Sequence, residues 1–304
     1  MTNAAAMQKP QRPVLRWHGG KWLLAPWIIE HLPQHRVYVE PFGGAASVLL
    51  RKERSYAEVY NDLDDEVVNL FNVLRSDKAE DLVEALRLTA FARIEFKDAY
   101  EDTTDPVENA RRLITRAFQG FGSNAHNKRW QTGFRANSNR SGTTPARDWR
   151  NYPDQLAFTI DRLRGVTVEH RDAMEVMQAH DGAETLHYVD PPYMPETRDK
   201  GHDYNHELTK QDHADLLEFL KTLKGMVVLS GYPHSEYDDA LEGWERIERK
   251  ALADGARART EVLWINPAAW AALNKPRQAG LFETSQVEQS GPGNSPGPEH
   301  DKNG

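Results

Sequence analysis

Asp190-Pro191-Pro192-Tyr193 is the stretch of this chain whose residue types and order can do chemistry. The apolar run at 186–189 reads as a buried strand, and the two prolines lack the donor N–H that a central strand needs, so the strand stops at Asp190. In an open α/β sheet, ligands sit outside the carboxyl ends of the strands, which is where Asp190 and Tyr193 would be held. The chemistry in question is attack by a planar exocyclic amine, a poor nucleophile until acceptors take up its hydrogens. Asp190 and the Pro191 carbonyl are such acceptors, Pro192 stiffens the turn, and the Tyr193 ring offers a face to a heterocyclic base. Taken alone, the tetrapeptide can also be read as a turn without a role.

The elements that would position it form an α/β pattern. Residues 37–40 read as a strand running into Phe42-Gly43-Gly44-Ala45-Ala46 and an apolar helix, the first βα turn of a nucleotide-binding sheet. A second strand at 58–61 ends at Asp62, which lies 19 residues beyond Gly43 and is placed to accept ribose hydroxyls. Asp62 or Asp64 could instead cap the helix that carries Val67, Leu70, Phe71 and Leu74. Further strands are expected at 166–170, 186–190, 226–230, 247–252 and 261–265. Asp172 could receive an adenine amino group or cap the short helix after it. Upstream, Gly19-Gly20-Lys21 reads as a glycine pair opening a helix at 22–32, with exposed N–H groups and a point charge suited to an anion. The spacing is not that of a P-loop.

Between the second and third strands the pattern changes. Helices are expected at 78–88 and 106–118, followed by an irregular stretch at 120–154. From Arg111 to Arg150 there are nine Lys or Arg against one acid, Asp148, in a chain whose net charge is −8. Lys128, Arg129, Arg135, Arg140 and Arg147 alternate with Phe121, Trp130, Phe134 and Trp149, a mixture suited to phosphates and to stacked or flipped bases. Asn124, Asn127, Gln131, Asn137 and Asn139 could read base edges. After Tyr193, residues 194–208 read as a polar lid. Its His202 and His206 are spaced as a helical pair but lack a helix to hold them, so no metal site is expected. Thr209 and Asp212 resemble a capping box opening a helix at 210–223.

The 304 residues, 39% hydrophobic, suffice for one large core or a core with an inserted domain, and two domains is the preferred reading. The expected division is a flexible leader at 1–13, a first sheet portion at 14–75, an insert at 76–154, a second sheet portion at 155–282 and a disordered tail at 283–304. No apolar run approaches a membrane span and no signal-peptide core opens the chain, so a cytoplasmic protein is expected. With no cysteine there is no disulfide, thiolate nucleophile or Cys-based zinc site.

Taken together, Arg16-Trp17-His18-Gly19-Gly20-Lys21, Glu40-Pro41-Phe42-Gly43-Gly44-Ala45-Ala46, Asn61-Asp62 and Asp190-Pro191-Pro192-Tyr193, in that order, resemble the D12-class, Dam-like DNA adenine-N6 methyltransferases, which include phage, prophage and restriction-modification members. The resemblance covers residues 14–270. It implies a Rossmann-like methyltransferase sheet with a mainly helical target-recognition domain inserted after the second strand, acting on double-stranded DNA by base flipping. It implies S-adenosylmethionine as cofactor, with Trp17 and Lys21 near its methionine end, Phe42, Gly43 and Gly44 at the glycine turn, Asp62 on the ribose and Asp172 on the adenine. Asp190 and Tyr193 would face the target base, with no metal. Two departures stand out: Ala46 replaces the second glycine of the F-x-G-x-G pattern, and residues 120–150 do not resemble the GATC-reading segment of bacterial Dam enzymes. A methyltransferase acting on cytosine N4, RNA or protein glutamine is the closest rival reading, and a catalytically dead DNA-binding relative is another.

Overall fold

The computed structural model describes residues 9–128, 131–137, 139, 142–198, 205–252 and 258–275. Arg129, Trp130, Arg140, His202 and the tail at 283–304, singled out above, lie outside the described residues. Seven strands form one sheet: β1 (Val37–Glu40), β2 (Ala57–Asn61), β3 (Val166–Glu169), β4 (Thr185–Val189), β5 (Met226–Gly231), β6 (Glu245–Leu252) and β7 (Ala258–Ile265). Their order is β3-β2-β1-β4-β5-β7-β6. β1 to β5 are parallel, while β7 is antiparallel to both β5 and β6. The winding reverses between β1 and β4, which makes their carboxyl ends the switch point of a Rossmann-like sheet.

Side-chain alternation builds a core on each face. Tyr38, Tyr60, Tyr188 and Val228 point into one cluster with Leu49, Leu70 and Phe71; Val39, Val59, Val189 and Val227 point into the other, with Val176, Met177, Leu216 and Leu217. Helices Ser47–Arg51 and Asp65–Leu74 cover the first face, and Ala173–Ala179 and Lys210–Leu220 the second. Thr209 and Asp212 form the expected capping box. No helix of the described residues is long and apolar enough to cross a membrane.

The insert is mainly helical, with helices Ala79–Leu88, Arg93–Asp98, Pro106–Gln119 and Pro145–Arg150. Two of these were not foreseen, because each is only six residues long and buries few side chains, too short for a periodic signal. The second does carry a local start signal, Thr144 accepting from the Arg147 N–H with Pro145 at the first helical position. Leu82, Leu86, Leu113, Ile114 and Trp149 belong to the same cluster as the first sheet face. Ahead of the sheet, Val14 and Leu15 are buried in that core too, and Arg12 donates to the Asp148 carbonyl.

Candidate active site

The glycine turn after β1 is held through its backbone by groups at the carboxyl end of β2. The Gly43 N–H donates to the Asn61 carbonyl at 2.8 Å, the Gly44 N–H to Asp62 Oδ2 at 2.7 Å, and the Tyr60 hydroxyl to the Gly44 carbonyl at 2.7 Å. A Cβ on Gly43 would overlap the Tyr60 ring, and one on Gly44 would stand 2.8 Å from Trp17 Nε1, at a φ of +46°. Glycine is therefore required at both positions by close approach. Ala46, where the resemblance led one to look for glycine, adopts φ 52° and ψ 36°, so it sits in the left-handed conformation that glycine adopts without strain.

Of the two residues the sequence offered as a helix cap, Asp64 is the one that caps helix Asp65–Leu74, accepting from the Glu66 and Val67 N–H groups. Asp62 braces the turn with one oxygen and accepts the Asp64 N–H with the other. Burial raises its pKa above the usual carboxylate value, against the pull of those N–H groups. Asp172 caps helix Ala173–Ala179 through the Met174 and Glu175 N–H groups, the plainer of its two expected roles.

Asp190 follows β4 directly beside the turn. Its Oδ1 accepts from Ser230 Oγ at 2.7 Å, and its Oδ2 pairs with Lys21 Nζ at 3.0 Å. Lys21 is 5% exposed, donates to the Gly19 carbonyl, and lies 4.6 Å from the centroid of the Tyr193 ring. Burial alone would lower its pKa, but Asp190 and Glu261 outweigh burial and hold it above the usual lysine value. The glycine pair therefore does not open a helix, as the sequence suggested. The helix starts later, at Ala25–Glu30, where Pro26 enters its first turn, and the Gly19-Gly20 turn delivers Lys21 to Asp190 instead.

These groups line an open cavity at the switch point, bounded by Trp17, Lys21, Phe42, Gly44, Asp190 and Pro191. Two polar groups that the sequence did not single out also line it. Glu40 Oε2 accepts from the Tyr38 hydroxyl and the Leu49 N–H, and burial pushes its pKa up to about 8. Ser47 Oγ is buried without a hydrogen-bond partner, a group that a polar ligand would satisfy. Beyond the cavity the Tyr193 hydroxyl donates to Glu261 Oε2 at 2.9 Å, and its ring meets Tyr232 edge to face at 4.6 Å. Glu261 and Ser230 escaped the sequence reading because each is one residue at the end of an apolar strand; a charge opening such a strand was the available signal.

The basic stretch is less open than its composition suggests. Trp149 is buried, stacks on Tyr152 and donates to the Thr89 carbonyl, while Phe134 packs on Phe91 and Phe96. Trp149 is therefore a core residue rather than a platform for bases, while Phe134 is half-buried among the aromatic side chains around it. Asn127 is buried and cannot reach a base edge, whereas Phe121 is 71% exposed and Asn137 is exposed. Lys128 pairs with Asp102 at 2.7 Å and Glu66 at 3.2 Å, Arg135 lies 3.9 Å from Asp148, and Arg147 is exposed. Among the described residues no cluster of His, Asp and Glu could hold a metal.

The family model described as D12 class N6 adenine-specific DNA methyltransferase matches residues 17–253. The DNA adenine methylase of Vibrio cholerae serotype O1 is 27% identical over 194 residues, covering 62% of this chain and 67% of that one. That of Serratia marcescens is 28% identical over 197 residues, covering 62% and 68%. That of Salmonella typhi is 24% identical over 239 residues, covering 74% and 82%.

Proposed function

This chain belongs to the D12 class N6 adenine-specific DNA methyltransferases, and we propose that it works with S-adenosylmethionine in the switch-point cavity and a duplex adenine flipped onto Tyr193. The observation that carries the reading is the meeting of Asp190, the glycine turn and Tyr193 at one carboxyl edge of the sheet. The cavity fits the cofactor: Gly43 and Gly44 bring bare backbone to its wall, Phe42 and Trp17 supply apolar surface, and Ser47 Oγ awaits a polar partner. Asp62, at the turn, and Asp172, at its helix cap, are the proposed acceptors for ribose and adenine. When bound, S-adenosylmethionine supplies the methyl group as a sulfonium electrophile.

The chain's own residues do the rest. Ser230 and Lys21 hold Asp190 from both oxygens, which fixes the direction in which the carboxylate faces. Asp190 and the Pro191 carbonyl accept the hydrogens of the adenine amine, which localises its lone pair, and Asp190 receives the proton that the amine sheds. Tyr193 provides the stacking face, which Lys21 overlies in the free protein and must yield to the base. Positioning and electrostatics then account for the acceleration.

Residues 76–154 are the proposed target-recognition portion, with Arg135 and Arg147 toward the phosphates and Asn137 and Phe121 toward the bases. Arg129 and Arg140 belong to the same basic stretch of the sequence. The test is to incubate the purified protein with unmethylated duplex DNA and labelled S-adenosylmethionine, digest the product to nucleosides, and map the modified positions by long-read sequencing. N6-methyladenine at a defined sequence is the expected product. Methylcytosine, or no transfer to a duplex, would sink the reading.

A further inference from the structure

β7 runs against the parallel strands, so its first residues lie at their carboxyl edge. Val262 pairs with Gly231, the last residue of β5, and Glu261 stands one step beyond, beside the active-site turn. There Glu261 is 8% exposed, and its Oε2 accepts the hydroxyl of Tyr193, itself 6% exposed. The residues that follow it in the strand, Val262 to Ile265, are apolar and buried, and Arg249 of β6 stands opposite it in the register. A carboxylate at this position is costly to desolvate, and a valine there would serve the sheet without that cost. Stacking needs only the Tyr193 ring, so neither the hydroxyl nor its acceptor is explained by base contact or by packing.

The polar group of the Tyr193 side chain has one hydrogen-bond partner among the described residues, Glu261. The ring touches Tyr232 edge-on and lies under Lys21, whose long side chain must move for a base to enter. A hydroxyl anchored to a rigid strand fixes where the far end of the ring sits whether or not Lys21 is in place, and the Tyr232 edge limits the ring's rotation about that axis. We propose that Glu261 is a positioning residue for methyl transfer, holding Tyr193 by its hydroxyl so that the target amine is presented to Asp190 at the right height and angle. This rests on the reading above that Tyr193 receives the base. Burial, opposed by Lys21 and by the Tyr193 hydroxyl, leaves the Glu261 pKa above the usual carboxylate value. The Tyr193 pKa is driven well up, chiefly by burial, so the phenol remains the donor in this pair.

The experiment compares wild type, Glu261→Gln, Glu261→Ala, Tyr193→Phe and the double variant Glu261→Ala/Tyr193→Phe on unmethylated duplex DNA. It measures kcat and KM for both substrates, with thermal unfolding in parallel. Glu261→Ala and Tyr193→Phe should each lower kcat on the order of 10-fold, with KM for S-adenosylmethionine changed by less than about 2-fold. The double variant should be no slower than the worse single one, because one bond is lost in each case. Glu261→Gln, whose amide oxygen still accepts from the phenol, should stay within about 3-fold of wild type. Wild-type kcat in Glu261→Ala, multiplied losses in the double variant, or equal damage in Gln and Ala would each overturn the proposal; the Gln and Phe variants decide it even if Ala unfolds. Failure of the wild type itself to form N6-methyladenine would instead overturn the functional reading, and this inference with it.

Discussion

The switch-point crevice and the basic stretch at 120–154 are built in opposite ways. In the crevice, backbone groups of the glycine turn are tied to β2 by the Asn61 carbonyl, the Asp62 carboxylate and the Tyr60 hydroxyl, and Asp190 is fixed from two sides. In the described part of the basic stretch, the backbone bonds mostly within itself, through the Gly120–Phe134 bridge and helix Pro145–Arg150, and side chains such as Trp149 and Lys128 tie it to the helices before it. A site tied down by backbone geometry tolerates few residue types, so residue type there reports function. A segment held by its own side chains uses aromatics and cations for architecture, and the same residue types then report folding.

The sharpest way to test that contrast is at Asp190. Asp190→Asn should reduce kcat on the order of 10³-fold, since the amide oxygen can still accept a hydrogen bond but cannot take the proton that the amine sheds. Cofactor affinity should change little, which a direct titration of S-adenosylmethionine into the variant would check; turnover near wild type would remove Asp190 from the chemistry. Next in size is Gly43→Ala, whose Cβ would overlap the buried Tyr60 ring. It should cost about 1–3 kcal/mol of stability and weaken cofactor binding at least about 10-fold, read by denaturant unfolding and calorimetry. A variant as stable as wild type would mean that the turn is not rigid, and the contrast with the insert would lose its basis.

Glu40 gives a pH-dependent version of the same test. Its folded-state pKa, about 8, lies above that of an ordinary glutamate, so the folded chain binds the extra proton. The stability this contributes is fully present below the unfolded pKa and is lost as pH rises through about 8. Glu40→Gln cannot ionise, so the stability of wild type relative to the variant should fall by at most about 1.4 kcal/mol per pH unit across that window. Urea unfolding of both proteins at several pH values between 5 and 8 measures this, and a constant difference would show that Glu40 stays ionised in the cavity.

Much of the crevice was legible because its parts are sequence-local. The β1 turn, Asp62, and the strand end at Asp190 each follow from residues within a few positions or from one known spacing. Lys21 was noticed for its glycines, but its partnership with Asp190 spans most of the chain, and no local pattern encodes it. Glu261 was invisible for a topological reason. Only the insertion of antiparallel β7 beside β5 brings its amino end to the catalytic edge, and that pairing is a property of the fold. In the insert, alternation of Arg with Trp and Phe looked like a nucleic-acid surface, yet Trp149 is part of the core that the helices pack on, and Phe134 is half-covered by Phe91 and Phe96. Composition cannot tell those uses apart, since both need large apolar faces next to charge.

The smallest expected effects separate two cations of the insert. Arg147 is exposed on helix Pro145–Arg150, whereas Lys128 is bridged to Asp102 and Glu66. A cation that binds a phosphate releases counterions, so losing it lowers the log–log slope of DNA affinity against salt by about one. Arg147→Ala should show that change on specific and random duplexes alike. Lys128→Ala should leave the slope nearly unaltered, because its charge is already spent on two carboxylates. Its stability cost should stay below about 1 kcal/mol, since the Asp102 partner is solvent-exposed and Glu66 keeps its pairing with Arg116. Binding isotherms at four or more salt concentrations decide the matter. If Lys128→Ala flattens the slope as much as Arg147→Ala, then Lys128 leaves its carboxylates for phosphate when DNA arrives, and the ion pairs are a resting state of the DNA surface rather than part of the insert's architecture.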